Sequence, residues 1–523
     1  MAMGAAPPGG QAAADATAAG VPTGIFGEPI ALFTVGLGPY SRPISSSNPQ
    51  AQAFFDQGVQ MMYAFAKPEA VRSFRQAWAN DAACAICFWG EAWAWGSYLN
   101  APMRPAESPW AYAAIQRAMQ LREAHASPVE RALVEAMSVR YVEPFDPATR
   151  REQDEAYAEA MRLVADRYPD DLDAVTLYGE ALFLLEPRRG ERDAETPSVR
   201  RMLEVFERVL ARDIRHPGAC HLYVHATEAT QYPGRAEACA EFLGDAVPGA
   251  SHINHMPSHT WSQIGRWGDA VRANIQAWHS DQKAAVGEGF AIYPTHNLHM
   301  LAFAASMDGQ GAIAIQAGKD YATLTGDTMY HALTLVRFGR FDEVAAVAQP
   351  TSSDVSLGLW EFAQGYACLR GGDAACARTK LARVLDIAAR SPAMFRFHRA
   401  EVLLGTVGGI LEGEIARESG DPAAAIMAFE RAVTIEDELI WDEPEPLPFA
   451  ARHWLGAALL EVGRYADAEA VYRQDLVTHP HNGWSLLGLQ RALAGQGRPS
   501  ADVDADLDRS WARSDTWIRT SRF

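Results

Sequence analysis

Two histidines and a glutamate share one narrow stripe of a predicted helix in the segment HLYVHATEA, residues 221–229. His221 and His225 are four residues apart, which places them about 40° apart around the helix axis, and Glu228 falls about 20° to the other side of His221. Imidazole nitrogens and a carboxylate at this spacing can reach a common point, as the ligands of a transition metal do. The stripe therefore predicts one wall of a metal site.

Histidine is concentrated in and after this segment, since nine of the 15 histidines lie between residues 216 and 299. The segments SHINHMPSHTW and YPTHNLHM supply five more candidate ligands: His252, His255, His259, His296 and His299. The three segments read HxxxHxxE, HxxHxxxH and HxxH. Isolated histidines such as His216 and His279 are expected only to hydrogen-bond a neighbour or water.

A proline interrupts the second histidine segment. Pro257 disfavours helical torsions at Met256 and is itself well suited to the first turn of a helix. We therefore expect a helix to begin at Pro257, with His259 on it and His255 in the preceding loop. The i, i+4 spacing of His255 and His259 would instead place both on one continuous helix. In either case, these histidines gather around one helix entrance.

Helices must position these residues, because strand patterns are nearly absent from the sequence. Apolar residues recur at three- and four-residue spacing, and related turns such as GRWGDA, GRFDEV and GRYADA punctuate the chain. We expect helix ends at the first glycines of seven such turns: Gly234, Gly265, Gly309, Gly339, Gly371, Gly420 and Gly463. The pattern predicts an all-α protein built from helix pairs.

Several of the turn spacings lie near the tetratricopeptide period of about 34 residues. With the segments FWGEAWAWG, HLYVHATEA, NHMPSHTW and NGWSLLGL, the chain resembles the tetratricopeptide repeat superfamily over most of residues 50–515, and within it a bacterial branch that carries the histidine cluster. The resemblance implies a TPR-like α-solenoid, a superhelical stack of antiparallel helix pairs whose first helices line a concave wall. Facing imidazoles on three such helices could share a metal ion.

The predicted organisation has four parts. Residues 1–48 form a disordered or irregular leader, and residues 49–215 form N-terminal helical repeats. Residues 216–325 form central repeats that carry the histidine cluster, and residues 326–523 form C-terminal repeats. Neither a secretory signal nor a run of about 18 apolar residues is present. We therefore expect a cytoplasmic protein that does not enter membranes. The alternative is a protein that is exported and whose leader is processed.

The formal net charge of −19 argues against nucleic acid or an anionic membrane as a partner. Of the six cysteines, Cys84 and Cys87 are expected to pack as small apolar residues, whereas Cys368 and Cys376 could form a disulfide across a helix hairpin. The sequence contains no P-loop, dinucleotide-binding fingerprint or HExxH motif. These observations exclude several common enzyme classes but leave metal chemistry open.

The leading hypothesis is a metal-dependent oxidoreductase that oxidises or oxygenates a small organic molecule at the histidine cluster. Imidazole-rich ligation favours copper or iron as the cofactor, with zinc also suitable. Zinc would support a hydrolase or lyase in which Glu228 acts as the catalytic base of a metal-bound water. Glu228 could instead be a ligand or orient a ligating imidazole. The alternative from another class is a non-catalytic scaffold that binds a peptide or protein in its concave groove.

Overall fold

The structure, a computed structural model, describes residues 22–187 and 190–523. Regular structure in these ranges is almost entirely α-helical, as the sequence predicts, and the strands there form one short antiparallel hairpin. Part of the predicted leader, residues 1–21, lies outside the described residues. The remainder, residues 22–48, contains one 3-10 turn at Gly24–Gly27 and otherwise irregular chain.

The described chain divides into two compact units. Unit 1 comprises the described residues up to Met256 together with His279–Ile292, and unit 2 comprises Pro257–Trp278 and Tyr293–Phe523. The helices of unit 1 are α1 Pro49–Tyr63, α2 Lys67–Asn80, α3 Ala85–Trp95, α4 Ser108–His125, α5 Pro128–Ser138, α6 Arg150–Arg167, α7 Leu172–Phe183, α8 Pro197–Leu210, α9 Pro217–Glu228, α10 Glu237–Leu243 and α11 Ser251–His255.

Unit 2 holds the remaining helices and the strand hairpin. In chain order these are α12 Pro257–Gln263, α13 Trp267–Ala284 (whose last residues belong to unit 1), α14 Pro294–Met307, α15 Gly311–Thr325, α16 Met329–Arg337, α17 Phe341–Val344, α18 Asp354–Arg370, α19 Ala374–Arg390, β1 Met394–Phe395, β2 His398–Arg399, α20 Ala400–Glu418, α21 Pro422–Glu436, α22 Ala451–Glu461, α23 Tyr465–Thr478, α24 Gly483–Gly495 and α25 Ala501–Trp511. Met394 pairs with Arg399 in the hairpin.

Consecutive helices pack against each other as antiparallel pairs, and glycines allow the closest approaches between them. Helices α22 and α24 both contact α23, where Tyr472 is buried between Gly456 and Gly488. A Cβ atom at Gly456 would lie 2.4 Å from the tyrosine ring, and one at Gly488 would lie 2.1 Å from it. This large-to-small complementarity lets neighbouring helices approach closely. The predicted all-α fold of packed helix pairs is therefore confirmed.

The predicted glycine turns are confirmed at most positions, because glycine adopts the left-handed conformation there without strain. Positive φ angles occur at five of the seven: Gly265, Gly309, Gly339, Gly420 and Gly463. In the GGD turn α18 ends with Gly371 as its C-cap, as predicted, and the left-handed residue is the following Gly372, with φ +85°. The predicted helix end at Gly234 is wrong, because this glycine lies within a 3-10 turn that leads directly into α10.

All six cysteines form disulfides. Cys368 and Cys376 link α18 to α19 across their hairpin, which the sequence allowed. The prediction that Cys84 and Cys87 only pack is wrong, because they are bonded to each other at the start of α3. The third disulfide joins Cys220 on α9 to Cys239 on α10, and it therefore anchors the helix that carries the HxxxHxxE stripe.

Candidate metal centre

Two helices of unit 1 bring three of the predicted ligands together. His221 and His225 lie one turn apart on α9, and His252 lies on α11. Each of the three histidines offers a ring nitrogen, and these nitrogens all lie within 4.8 Å of one another. The side chains are buried, with exposed fractions of 0%, 5% and 1% respectively. The predicted convergence of imidazoles from neighbouring helices is therefore present for these three residues.

Hydrogen bonds to Nδ1 orient two of the rings. His221 Nδ1 lies 2.5 Å from the carbonyl oxygen of Tyr63, and His225 Nδ1 lies 2.7 Å from Oε1 of Glu228. A carbonyl oxygen can only accept, so Nδ1 of His221 donates, and Nδ1 of His225 donates when the Glu228 carboxylate is ionised. In a neutral ring, Nε2 then carries the lone pair, which is the arrangement found in most metal-bound histidines. Nε2 of His221 lies 3.1 Å from Nε2 of His252.

Tyr63 connects the cluster to a buried ion pair. Its hydroxyl donates to Asp173 at 2.5 Å, and the same carboxylate accepts from Arg42 at 2.7 Å. Burial alone would raise the pKa of Asp173, but the guanidinium holds it well below its usual range, so the carboxylate is ionised at neutral pH. The tyrosine ring also packs against Gly218 of α9, where a Cβ atom would lie 2.2 Å from it. Tyr63 therefore fixes both the position of α9 and the orientation of His221.

An aromatic side chain covers the three imidazoles. The ring of Phe65 has centroid distances of 4.2 Å to His221, 6.0 Å to His225 and 5.5 Å to His252. On another side it contacts Tyr98, at 5.3 Å. Phe65 itself is 6% exposed. The cluster is therefore buried from bulk water and is covered on one side by an aromatic ring.

The expected helix boundary in the second histidine segment is partly wrong. A helix does begin at Pro257, but His255 is the last residue of α11 instead of a loop residue. Met256 keeps right-handed helical torsions, and its N–H donates to the carbonyl of His252 at 3.0 Å. This hydrogen bond and the burial of the segment outweigh the preference that the proline imposes on the preceding residue. The His255 ring stacks on that of His252, at 5.6 Å.

The remaining predicted ligands belong to unit 2, where their role in metal binding stays a prediction. The rings of His259 and His296 have centroids 5.8 Å apart. Nε2 of His299 lies 2.6 Å from the hydroxyl of Tyr330 and 3.1 Å from the carbonyl oxygen of Glu445. Burial and a neighbouring guanidinium lower the pKa of His299 to about 3, so it is neutral. These contacts give His299 a hydrogen-bonding role within unit 2.

His216 behaves as the isolated histidine that the sequence predicts. Its Nδ1 accepts from the backbone N–H of Ala219 at 3.1 Å and so caps the start of α9, while Nε2 lies 3.3 Å from Asp173. Sequence reasoning missed Tyr63 and Phe65, which lie about 160 residues before the stripe that they contact. The segment YAFAKP contains no chemical motif, and only the tertiary fold brings it to the cluster.

Comparison with known proteins adds little to this geometry. No model of a known protein family matches the sequence, and no curated protein matches it. Among solved structures, the P58(IPK) TPR domain is similar at 10% identity and a TM-score of 0.22, covering 88% of this chain and 99% of that one. Cut9 in the APC/C tetramer Cut9–Hcn1 is similar at 14% identity and a TM-score of 0.29, covering 88% and 76%. The human IFIT1 dimer with PPP-AAAA is similar at 10% identity and a TM-score of 0.29, covering 87% of this chain and 88% of that one.

Proposed function

We propose that this protein binds one transition-metal ion between His221, His225 and His252 and uses it to oxidise or oxygenate a small organic molecule. The observation that carries the proposal is the hydrogen bonding of Nδ1 in two of these rings, which directs Nε2 to the ligand role. Bonds of about 2.0–2.1 Å around a tetrahedral ion place ligand nitrogens about 3.3 Å apart. The 3.1 Å between Nε2 of His221 and Nε2 of His252 is close to that separation.

The ligand set supports copper or iron as the cofactor. Three neutral imidazoles leave the full charge of the ion, and such sets suit copper, iron and zinc, whereas calcium and magnesium prefer oxygen ligands. A zinc hydrolase would also need a base for a metal-bound water. The carboxylate of Glu228 accepts from His225 Nδ1, so its position favours the orienting role. The apolar cover provided by Phe65 further favours a reaction that does not consume water.

Two alternative functions are compared with this proposal. A zinc-dependent hydrolase or lyase would use the same three ligands, with Glu228 as base. A non-catalytic scaffold would instead bind a peptide or protein in a groove between first helices, independently of the histidines. The two differ in a measurable way, because only the first requires a stoichiometric metal ion.

The three disulfides support the exported form that the sequence left open, since disulfides persist mainly in oxidising compartments. None of the helices in the described ranges is long and apolar enough to cross a bilayer. We therefore propose that the protein works in an oxidising compartment. Expression in a cytosol with an intact reducing system should accordingly yield free thiols and a less stable product.

Metal analysis of the untagged protein tests the proposal. The full chain is stripped with a chelator, incubated with copper, iron or zinc, desalted and analysed by elemental mass spectrometry. We expect about one equivalent of copper or iron, lost in His221→Ala and in His252→Ala. His331→Ala, a half-buried histidine of unit 2, is the matched control and should keep the metal. Retention of metal in both cluster variants, or a folded wild type that takes up none of the three ions, would refute the proposal.

A further inference from the structure

Phe65 adopts a backbone conformation that bulky residues rarely take. It follows α1 with φ +60°, in the left-handed region. The helix ends there in a Schellman turn, in which the N–H of Phe65 donates to the carbonyl of Met62 at 3.0 Å and that of Ala66 to the carbonyl of Met61 at 2.8 Å. Glycine is the usual residue at this position, because a side chain is unfavourable there. The turn therefore holds the phenylalanine in place at an energetic cost.

The side chain that the turn presents is the one that covers the imidazoles. Its ring is nearly parallel to that of His225, with an interplanar angle of 5°, and is inclined by 27° to His252 and by 42° to His221. Backbone strain of this kind concentrates at functional sites, where the surrounding structure enforces it.

We propose that Phe65 is a specificity-determining residue of the metal centre, which restricts the ligands that bind directly to the ion to neutral molecules about the size of dioxygen. This inference rests on the proposed function and adds the class of ligand to it. An apolar ring against the ligating imidazoles offers no hydrogen bond or charge to an anion, and burying an anion without such partners is strongly unfavourable. A bulky donor that approached the imidazoles from the side of Phe65 would have to displace this ring, whose centroid lies 4.2–6.0 Å from those of the three histidines. Molecules of the size and polarity of dioxygen meet neither barrier.

The role of Phe65 explains why the strained residue is not glycine. Phe65→Gly would relieve the unfavourable backbone conformation and would also remove the cover. Stability and ligand selection therefore make opposite demands at this position, a conflict that is common at functional sites. A purely structural phenylalanine would show no such opposition, because its removal would alter stability without changing which ligands reach the metal.

Ligand exclusion from the copper-loaded protein tests the inference. Wild type, Phe65→Ala and Phe65→Gly are loaded with one equivalent of Cu(II) and titrated with imidazole and with azide, and binding is followed by the visible and electron paramagnetic resonance spectra. We expect both variants to bind imidazole at least tenfold more tightly than wild type and to admit azide. Phe65→Gly is included because glycine adopts the left-handed conformation of this turn without strain, so this variant is expected to fold even if Phe65→Ala does not. Phe242→Ala, a half-buried phenylalanine on α10, is the matched control and should behave as wild type.

The outcomes separate this inference from the proposed function. Wild-type protein that binds copper through the three histidines but admits imidazole and azide as readily as the two Phe65 variants overturns the inference and leaves the metal centre intact. A wild type that binds no metal overturns the proposed function, and the inference with it. Equal effects of Phe242→Ala and Phe65→Ala would also overturn the inference, because they would indicate general loosening of unit 1.

Discussion

Replacing Glu228 by glutamine should weaken metal binding about tenfold without removing a ligand. The carboxylate lies 2.7 Å from His225 Nδ1 and is 5% exposed. Hydrogen bonds to charged groups contribute about 1.5–3 kcal/mol and neutral ones about 0.5–1.5 kcal/mol. The bond between Glu228 and His225 is present in the metal-free protein, so metal affinity falls only by the amount to which an ion would strengthen it by polarising the imidazole. Loss of such an outer-shell partner typically costs roughly 10–100-fold in metal affinity, and glutamine can still accept from Nδ1 through its amide oxygen, so we expect affinity to fall by about tenfold.

Competition with a chromophoric chelator measures this affinity directly, and elemental analysis gives the number of ions bound. Glu180→Gln is the matched control: Glu180 is a buried carboxylate of unit 1 that accepts from Trp93 Nε1 at 3.1 Å, and its substitution should leave metal affinity unchanged. Unchanged affinity in Glu228→Gln would refute the orienting role. Loss of stoichiometric binding would instead identify Glu228 as a ligand, and unchanged affinity with abolished turnover would identify it as a base.

Two further predictions concern stability. Cys239→Ala, which breaks the disulfide to Cys220, opens a loop of 19 residues and should lower the free energy of unfolding by about 3 kcal/mol in a non-reducing urea titration; an unchanged midpoint would contradict this. In unit 2, burial alone would lower the pKa of His479, but the carboxylates of Glu445 and Asp475 raise it well above its usual value. Stabilisation by a raised pKa is fully present below about pH 6.5 and is lost as the pH rises through the folded-state value. His479→Gln should therefore cost about 3 kcal/mol near pH 6 and progressively less at high pH, and a difference that does not vary with pH would refute this.

Most of the fold could be predicted because the sequence features that specify its helices and turns are local. Glycine-terminated helices and a helical spacing of apolar residues depend on a few neighbouring positions, and so the turns at Gly309 and Gly463 lie where the sequence indicates. The failures arise where a longer-range contact overrides a local preference. Met256 stays helical before a proline because its segment is buried and hydrogen-bonded. Cys84 and Cys87 satisfy the expectation of burial, but the sequence could not show that their sulfur atoms are bonded.

The candidate site was predictable only in part, and for the same reason. Helical geometry alone places His221 and His225 on one face of α9, so the sequence could identify that pair. The convergence of His252 with them depends on how α11 packs within unit 1, which no spacing in the sequence encodes. The contribution of Tyr63 is a backbone carbonyl, which any residue possesses. The contribution of Phe65 depends on a left-handed backbone conformation, which the sequence does not indicate because the residue at this position is not glycine.

The burial of the cluster bears on the choice between a metal centre and a peptide-binding groove. Side chains that recognise a peptide must reach solvent in the free protein, yet His221 and His252 are at most 1% exposed. A buried polar group must also gain partners to offset its lost hydration. Tyr63 supplies one for His221 on Nδ1, which leaves the Nε2 side of the cluster directed at another imidazole instead of at solvent. The burial of these imidazoles therefore favours the proposed metal ion over a peptide as the ligand that they would bind.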